Sequence, residues 1–295
     1  MNLMDLVEIL KERGYVEHSE LLKNEIKNFD EKPAIKLETI KANEDEFEMG
    51  ESKIGGCPHL NEDFIWPTFN EKPLAFLGQI NLEEINDYDS QNLLPSSGIL
   101  YFFNEGGMEV WGFDPKDKGG FKVIYEKNIE NLKLTSLPKE LEDWLIFSPC
   151  KLKFKEEKTY DTDPYAIYSK LEAEGIVDKE SFDEELSNII EEFYGDNLGL
   201  NTQLFGYPYL IQGDIFLESQ LVSNGLYCGD ETGYNDPKAK ELEVGVKDWG
   251  LFFQLDSEDN ADMMWGDVGM LYFTIKEEDL KNHNFDNIWC IFQCC

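Results

Sequence analysis

Glutamine is an uncommon guest in an apolar strand, and this sequence places three there. Gln79 sits in LAFLGQI, Gln254 in LFFQLD and Gln293 in WCIFQ. A buried amide left without partners costs roughly 1–3 kcal/mol, so each must find some. One reading has each amide tie its strand to an irregular loop such as a Gly-Pro turn. The other has Gln79 and Gln254, at corresponding places in two similar runs, facing a shared pocket.

Directly after Gln254 come Asp256, Glu258, Asp259, Asp262 and Asp267, five carboxylates in twelve residues with no Lys or Arg among them. Such a run repels itself unless something neutralises it, which makes a divalent cation on Asp256, Asp259 and Asp267 one candidate chemistry. An EF-hand would need a Gly at loop position 6. Counting from Asp256, that position holds Ala261. The structural alternative is that Trp265-Gly266-Asp267 builds a turn whose acid accepts backbone hydrogen bonds. The binding candidates are therefore Gln79, Gln254, Asp256, Glu258, Asp259, Trp265 and Asp267.

Other chemistries find less. Cys57 and His59 could join Cys290, Cys294 or Cys295 at a zinc ion, but no CxxC occurs and the chain has three His. Gly55-Gly56 lacks the Lys and Ser/Thr of a phosphate-binding loop. There is no GxSxG, and only His59 of the three His lies near a motif, so no nucleophile has a base and an orienting group. No catalytic residue is assigned, and no cofactor beyond that cation.

The elements that must hold these residues follow from periodicity. Leu3, Leu6, Val7 and Leu10, then Leu21, Leu22, Ile26 and Phe29, give two amphipathic helices, with Ser19 as the expected cap of the second. Their apolar stripes must cover something larger. AIKLETIKA alternates and predicts a strand with one solvated face. LAFLGQI, ILYFF, MEVWGF, FKVIY and CKLKFKEEK continue an antiparallel sheet, with a short helix after Asn81. Between Glu156 and Asp196 stand fourteen acids and three Lys with helical patterning, which reads as a solvated helix face or as an acidic platform for a basic partner.

The pattern then restarts. LFGYPYL at 204–210 repeats IGGCPHL at 54–60, LFFQLD repeats LAFLGQIN, and VGMLYFTI repeats SGILYFF. The expected architecture is α+β: two internally similar, mainly antiparallel β halves in one unit over 1–295. The copies run about 50–105 and about 204–276, with an N-terminal helical hairpin and an acidic helical insert.

Composition narrows the partners. With 61 acidic against 26 basic residues, a formal charge of −35, the chain repels nucleic-acid phosphates and anionic lipid and attracts cations or a basic protein. Hydrophobic residues at 41% and aromatics at 13% are ample for a core. No apolar run could span a membrane, and the N-terminus has no signal-peptide pattern. Six Cys in a chain this long read as reduced thiols, which predicts a cytoplasmic protein.

IGGCPHL, FIWP, PLAFLGQINL, SGILYFF, FGYPYLIQGD, FFQLDSED, MWGDVGMLYF and WCIFQC, in this order from about residue 50, resemble the YwqG-like family of bacterial proteins. The resemblance implies one soluble α+β unit with internally similar halves and a biochemical role that is unassigned. It brings no catalytic residues to carry over. More loosely, it implies a setting near polymorphic toxin and immunity genes in some bacteria. The expectation is thus a non-enzymatic protein-binding module, in its specific form an acidic immunity-type protein for a basic toxin. The alternative is a metal-dependent or small-molecule enzyme with its site at the seam of the halves.

Overall fold

The computed structural model describes residues 3–107, 109–161, 173, 188, 189 and 201–294. Helices α1 (Leu3–Glu12) and α2 (Val16–Ile26) open the chain. They are followed by β1 (Glu31–Lys41), β2 (Lys53–Ile54), β3 (His59–Leu60), β4 (Thr68–Phe69) and β5 (Lys72–Pro73). Next come β6 (Ala75–Asn81), the short helix α3 (Leu82–Ile85), β7 (Ile99–Asn104), β8 (Phe121–Glu126), β9 (Lys133–Leu134) and β10 (Cys150–Tyr160). The rest supplies β11 (Gln203–Phe205), β12 (Trp249–Asp256), β13 (Met270–Lys276) and β14 (Trp289–Gln293).

Ten of these strands form one sheet in the order β14-β13-β12-β11-β1-β10-β2-β6-β7-β8, and every neighbouring pair is antiparallel. The fold is therefore α+β, with a large antiparallel sheet and an N-terminal helix pair. At its centre, β1 and β10 pair over eleven residues from Glu31↔Tyr160 to Lys41↔Cys150. Outward from them, β2-β6-β7-β8 on one side matches β11-β12-β13-β14 on the other. The match extends to irregularities: β6 slips register between Phe76 and Gly78, and β12 between Leu251 and Phe253.

The two arms curl so that one face of each meets the other. Phe102 of β7 lies 4.4 Å from Phe253 of β12 and 5.7 Å from Phe273 of β13, ring centre to ring centre. Near the ends of the sheet, Trp111 packs at a tilt against Phe292 at 4.4 Å and Phe121 meets Trp289 edge-on at 5.2 Å. Offset and edge-on aromatic pairs of this kind add about 0.5–1.5 kcal/mol each beyond their area burial. On the outer face of the second arm lies the helix Ile215–Ser223, whose Ser219 hydroxyl bonds Thr274 of β13 at 2.8 Å.

Several expectations need correction. The described part of MEVWGF, 109–113, is not a strand. There the chain turns at Gly112 (φ +91°), where a side chain would collide with the Cys290 carbonyl at 2.1 Å. The segment lies against β14 instead, with Phe292 N–H donating to the Trp111 carbonyl at 2.9 Å.

Ser19 does not cap α2. The helix begins three residues earlier at Val16, and the buried Ser19 hydroxyl bonds back to the Val16 carbonyl at 2.7 Å. Helical pattern continues through residues 16–18, so the capping-type residue was simply overtaken.

Nor does β1 have one solvated face along its length: Ala34, Ile35, Lys36 and Leu37 are all buried. Asp5 of α1 lies near enough to β10 for the charges of Glu157 and Lys155 to act on its carboxyl. Leu6, Leu10, Leu22 and Ile26 share their own small core with Ile189 and Tyr160. The acidic helical stretch expected over 156–196 lies outside the described residues beyond Asp161, apart from the isolated positions named above.

Candidate functional site

The three strand glutamines do the same job. Gln79 Oε1 accepts the His59 N–H at 2.8 Å, while its Nε2 donates to the Glu51 carbonyl at 2.8 Å. Gln254 Oε1 accepts the Tyr209 N–H at 2.9 Å, and its Nε2 donates to the Asn201 carbonyl at 2.7 Å. Gln293 takes the Gln212 N–H at 3.0 Å and gives to the Gly213 carbonyl at 2.9 Å. A primary amide presents one acceptor and two donor hydrogens, so it can replace a missing sheet neighbour for a loop that cannot form a strand.

The loops held by Gln79 and Gln254 share a shape. Gly55 and Gly56 have φ of +66° and +68°, and Phe205 and Gly206 have +60° and +76°. Two left-handed residues in succession throw the backbone off the ladder, and for Phe205 this conformation costs roughly 1–2 kcal/mol. A tyrosine closes each loop from the neighbouring strand: Tyr101 donates to the His59 carbonyl at 2.6 Å, Tyr272 to the Tyr209 carbonyl at 2.7 Å. A hydroxyl completes each: Ser52 accepts the Asn81 N–H at 2.8 Å, Thr202 the Asp256 N–H at 3.1 Å.

These contacts decide where the glutamines point. Gln79 is paired with Tyr101, and Gln254 with Tyr272, so each shares a face with its tyrosine. Phe102 and Phe273, the next residues along, face the other way, into the seam. Gln79 and Gln254 are fully buried, point away from the seam and are bonded to backbone. They do not line a shared pocket there, and aromatic rings fill the seam at that level.

The acid run is likewise dispersed. Asp256 ends β12 and is buried, and its carbonyl accepts the Trp265 indole N–H at 3.2 Å. Glu258 caps the turn Asp259–Ala261, accepting the Asn260 N–H at 3.1 Å. Asp262, left-handed at φ +56°, accepts the Ser148 hydroxyl at 2.5 Å. Asp259 and Asp267 are exposed.

Among the described residues no group of three or more His, Cys, Asp or Glu could hold a metal ion. Asp256, Asp259 and Asp267 are thus not gathered at one point, and neither are Cys57 and His59 with Cys290 or Cys294. The reason is local. The strand end turns Asp256 inward while the turn after it carries Asp259 and Asp267 out to water. What the loop does is join the two arms: Trp265 packs edge-on against Phe147 at 5.6 Å, and the Ser148 N–H donates to the Ala261 carbonyl at 2.9 Å.

Sequence reasoning missed a charged cluster under the first loop. Lys53, fully buried, gives one bond to Glu44 Oε2 at 2.7 Å and another to the Cys57 carbonyl at 3.0 Å, and stands 4.1 Å from the centre of the Phe47 ring. Glu44 Oε1 accepts the Cys57 N–H at 2.5 Å. At the equivalent place under the second loop stands Gln203, whose Nε2 donates to the Tyr207 carbonyl at 3.0 Å and whose Oε1 accepts from Lys36. Burial pushes the Lys36 ammonium down, while Glu157 and Asp256 pull it back up. No local signal announces it, because the partner Glu44 lies outside the two-residue strand that holds Lys53.

Four of the thiols are shifted away from reactivity. Burial pushes the thiols of Cys150 and Cys228 up to about 11, and it raises Cys57 and Cys290 as well. An attacking thiol needs the reverse shift. Burial and the Lys53 charge lower His59, whose Nδ1 accepts the Gly50 N–H at 2.9 Å.

On the surface of the first arm lies a cleft of about 220 Å³. Leu74, Leu141 and Leu145 are buried beneath it, and Glu109, Glu140 and Glu142 stand exposed around it. Trp144 forms one wall, 54% exposed, with its indole N–H donating to Glu142 at 2.6 Å. Glu105 is committed to the loop that follows: burial raises its carboxyl, and the Glu109 N–H donates to it at 3.2 Å.

The search of curated proteins finds no match. The model of a domain of unknown function, DUF1963, matches residues 52–294. That span runs from the residue before β2 to the one after β14, so it takes in both glutamine-held loops and leaves the helix pair and β1 outside. On that match, covering most of its length, this chain belongs to the DUF1963 family.

Proposed function

We propose that this chain is a non-enzymatic module that binds a basic protein. Charge carries the reading: 61 acidic residues oppose 26 basic ones. Carboxylates such as Glu62, Asp63, Glu71, Glu130, Glu140 and Glu142 stand on the surface. Support also comes from the interior, where the candidate amides serve backbone and the thiols are held protonated. An acidic surface that offers a nuclease-type toxin the charge of its own substrate is the specific form of this reading, an immunity-type role. A cytoplasmic setting agrees with the free thiols of Cys57, Cys150, Cys228, Cys290 and Cys294.

We also infer that residues of about 50–105 and 204–276 are copies of one unit. The supporting observation is the recurrence of the same amide, tyrosine and hydroxyl contacts at Gln79, Tyr101 and Ser52 and at Gln254, Tyr272 and Thr202.

The test is association with purified basic proteins across a salt series. Binding should be fast at low salt and weaken steeply as salt screens it. Affinity indifferent to salt, or none for any basic partner, would sink the reading. The alternative of a seam enzyme draws no comparable support, because rings occupy the seam.

A further inference from the structure

We propose that the cleft beside Trp144 is where a basic partner is gripped, by seating one of its lysine or arginine side chains against the indole and among the surrounding carboxylates. The inference rests on the reading of the chain as a binder of basic proteins and adds the place and chemistry of the contact.

Three features of the cleft select that occupant. Its floor is apolar, made by Leu74, Leu141 and Leu145, and suits the aliphatic stem of a long cationic side chain. Among the described residues its rim carries Glu109, Glu140 and Glu142 and one cation, Lys72, which stands 4.0 Å from Glu142 and is 74% exposed. An anion would be repelled, and a neutral apolar group would strip water from carboxylates without compensation.

Its wall is an exposed tryptophan. The indole N–H is held by Glu142. That bond lies in the ring plane, so it fixes the ring without covering either π face. A cation over such a face gains about 0.5–2 kcal/mol. Trp and Arg are also the residue types most enriched where interfaces hold most of their energy.

Diffuse attraction to a chain of charge −35 would bind a basic segment anywhere, so the test must change the cleft without changing the charge. The probe is a capped peptide containing Lys and Arg, titrated into the full chain at low salt, with a Gln-substituted peptide as blank. Trp144→Ala leaves the net charge untouched and should weaken binding about three- to thirtyfold. The pair Glu140→Gln and Glu142→Gln should weaken it as well and flatten its salt dependence. An equal charge change at Glu241→Gln and Glu243→Gln, exposed and outside the cleft, should have little effect.

If Trp144→Ala binds as the parent does, or the two charge pairs behave alike, the cleft is not the site, while the parent's own binding keeps the broader reading. If the parent binds no basic peptide at low salt, the broader reading fails and the inference with it. Trp144 is exposed, so an unchanged circular dichroism spectrum and Tm will separate lost binding from lost fold.

Discussion

Gln254 holds the N–H of Tyr209 at 2.9 Å just as Gln79 holds that of His59 at 2.8 Å, one residue beyond a Pro in each case. Both amides are fully buried, and each also donates to a carbonyl at the start of the same loop. Replacing either with Leu leaves one backbone N–H and one carbonyl of a half-buried loop without their partner. The expected loss is about 2–4 kcal/mol at each position, from two orphaned backbone groups at roughly 1–3 kcal/mol apiece, partly relaxed. Urea unfolding of Gln79→Leu and Gln254→Leu checks this. Losses near zero would mean the amides are not structural.

The Lys53–Glu44 pair should respond asymmetrically. Lys53 is fully buried, whereas the Glu44 side chain is 30% exposed. Glu44→Gln strands an ammonium in the interior and should cost about 3–5 kcal/mol, because an uncompensated buried charge is the expensive product. Lys53→Met leaves a carboxylate that still reaches water and still accepts the Cys57 N–H, so its cost should be smaller. Equal losses in the two variants, measured by chemical denaturation, would contradict this account.

Much of this arrangement was legible beforehand, and the limits have physical causes. The recurring apolar-Gln-turn-apolar pattern announced matching strands, since period-2 burial and an obligatory amide partner are local demands. Asn81 was readable as a cap for the same reason, and its Oδ1 accepts the Glu83 N–H at 3.1 Å. Lys36 and Lys53 were not readable as buried, because nothing local tells a strand that a distant Gln203 or Glu44 will receive its charge. The acid run misled because five close carboxylates look like a ligand set in one dimension. In three, the turn at Asp262 and the bonds of Glu258 and Trp265 send them in different directions.

That dispersal makes a prediction about cations. Millimolar Ca²⁺ or Mg²⁺ should leave the Tm of the parent unchanged. Asp267→Asn, at an exposed position, should shift stability by less than about 0.5 kcal/mol. Asp256→Asn should destabilise with or without the ion, since this buried carboxylate shares its surroundings with the Lys36 charge. A cation-induced rise in Tm that Asp256→Asn abolishes would restore the metal reading.

Glu218 supplies the pH dependence. Burial, with Asp214 adding to it, raises its carboxyl to about 7 from an ordinary 4.5. The folded chain therefore holds a proton that the unfolded chain has released between those two values. Stability contributed by the protonated form is present below pH 4.5 and lost as pH rises through about 7, so this one group lowers folding stability with increasing pH. Glu218→Gln keeps the neutral shape without the titration. It should stabilise the protein at pH 8 by about 1–3 kcal/mol and have little effect at pH 4.5. Denaturation of parent and variant at both pH values decides it: a difference independent of pH would mean that Glu218 is not held protonated, and its cause would then have to be sought in packing around the helix Ile215–Ser223 rather than in charge.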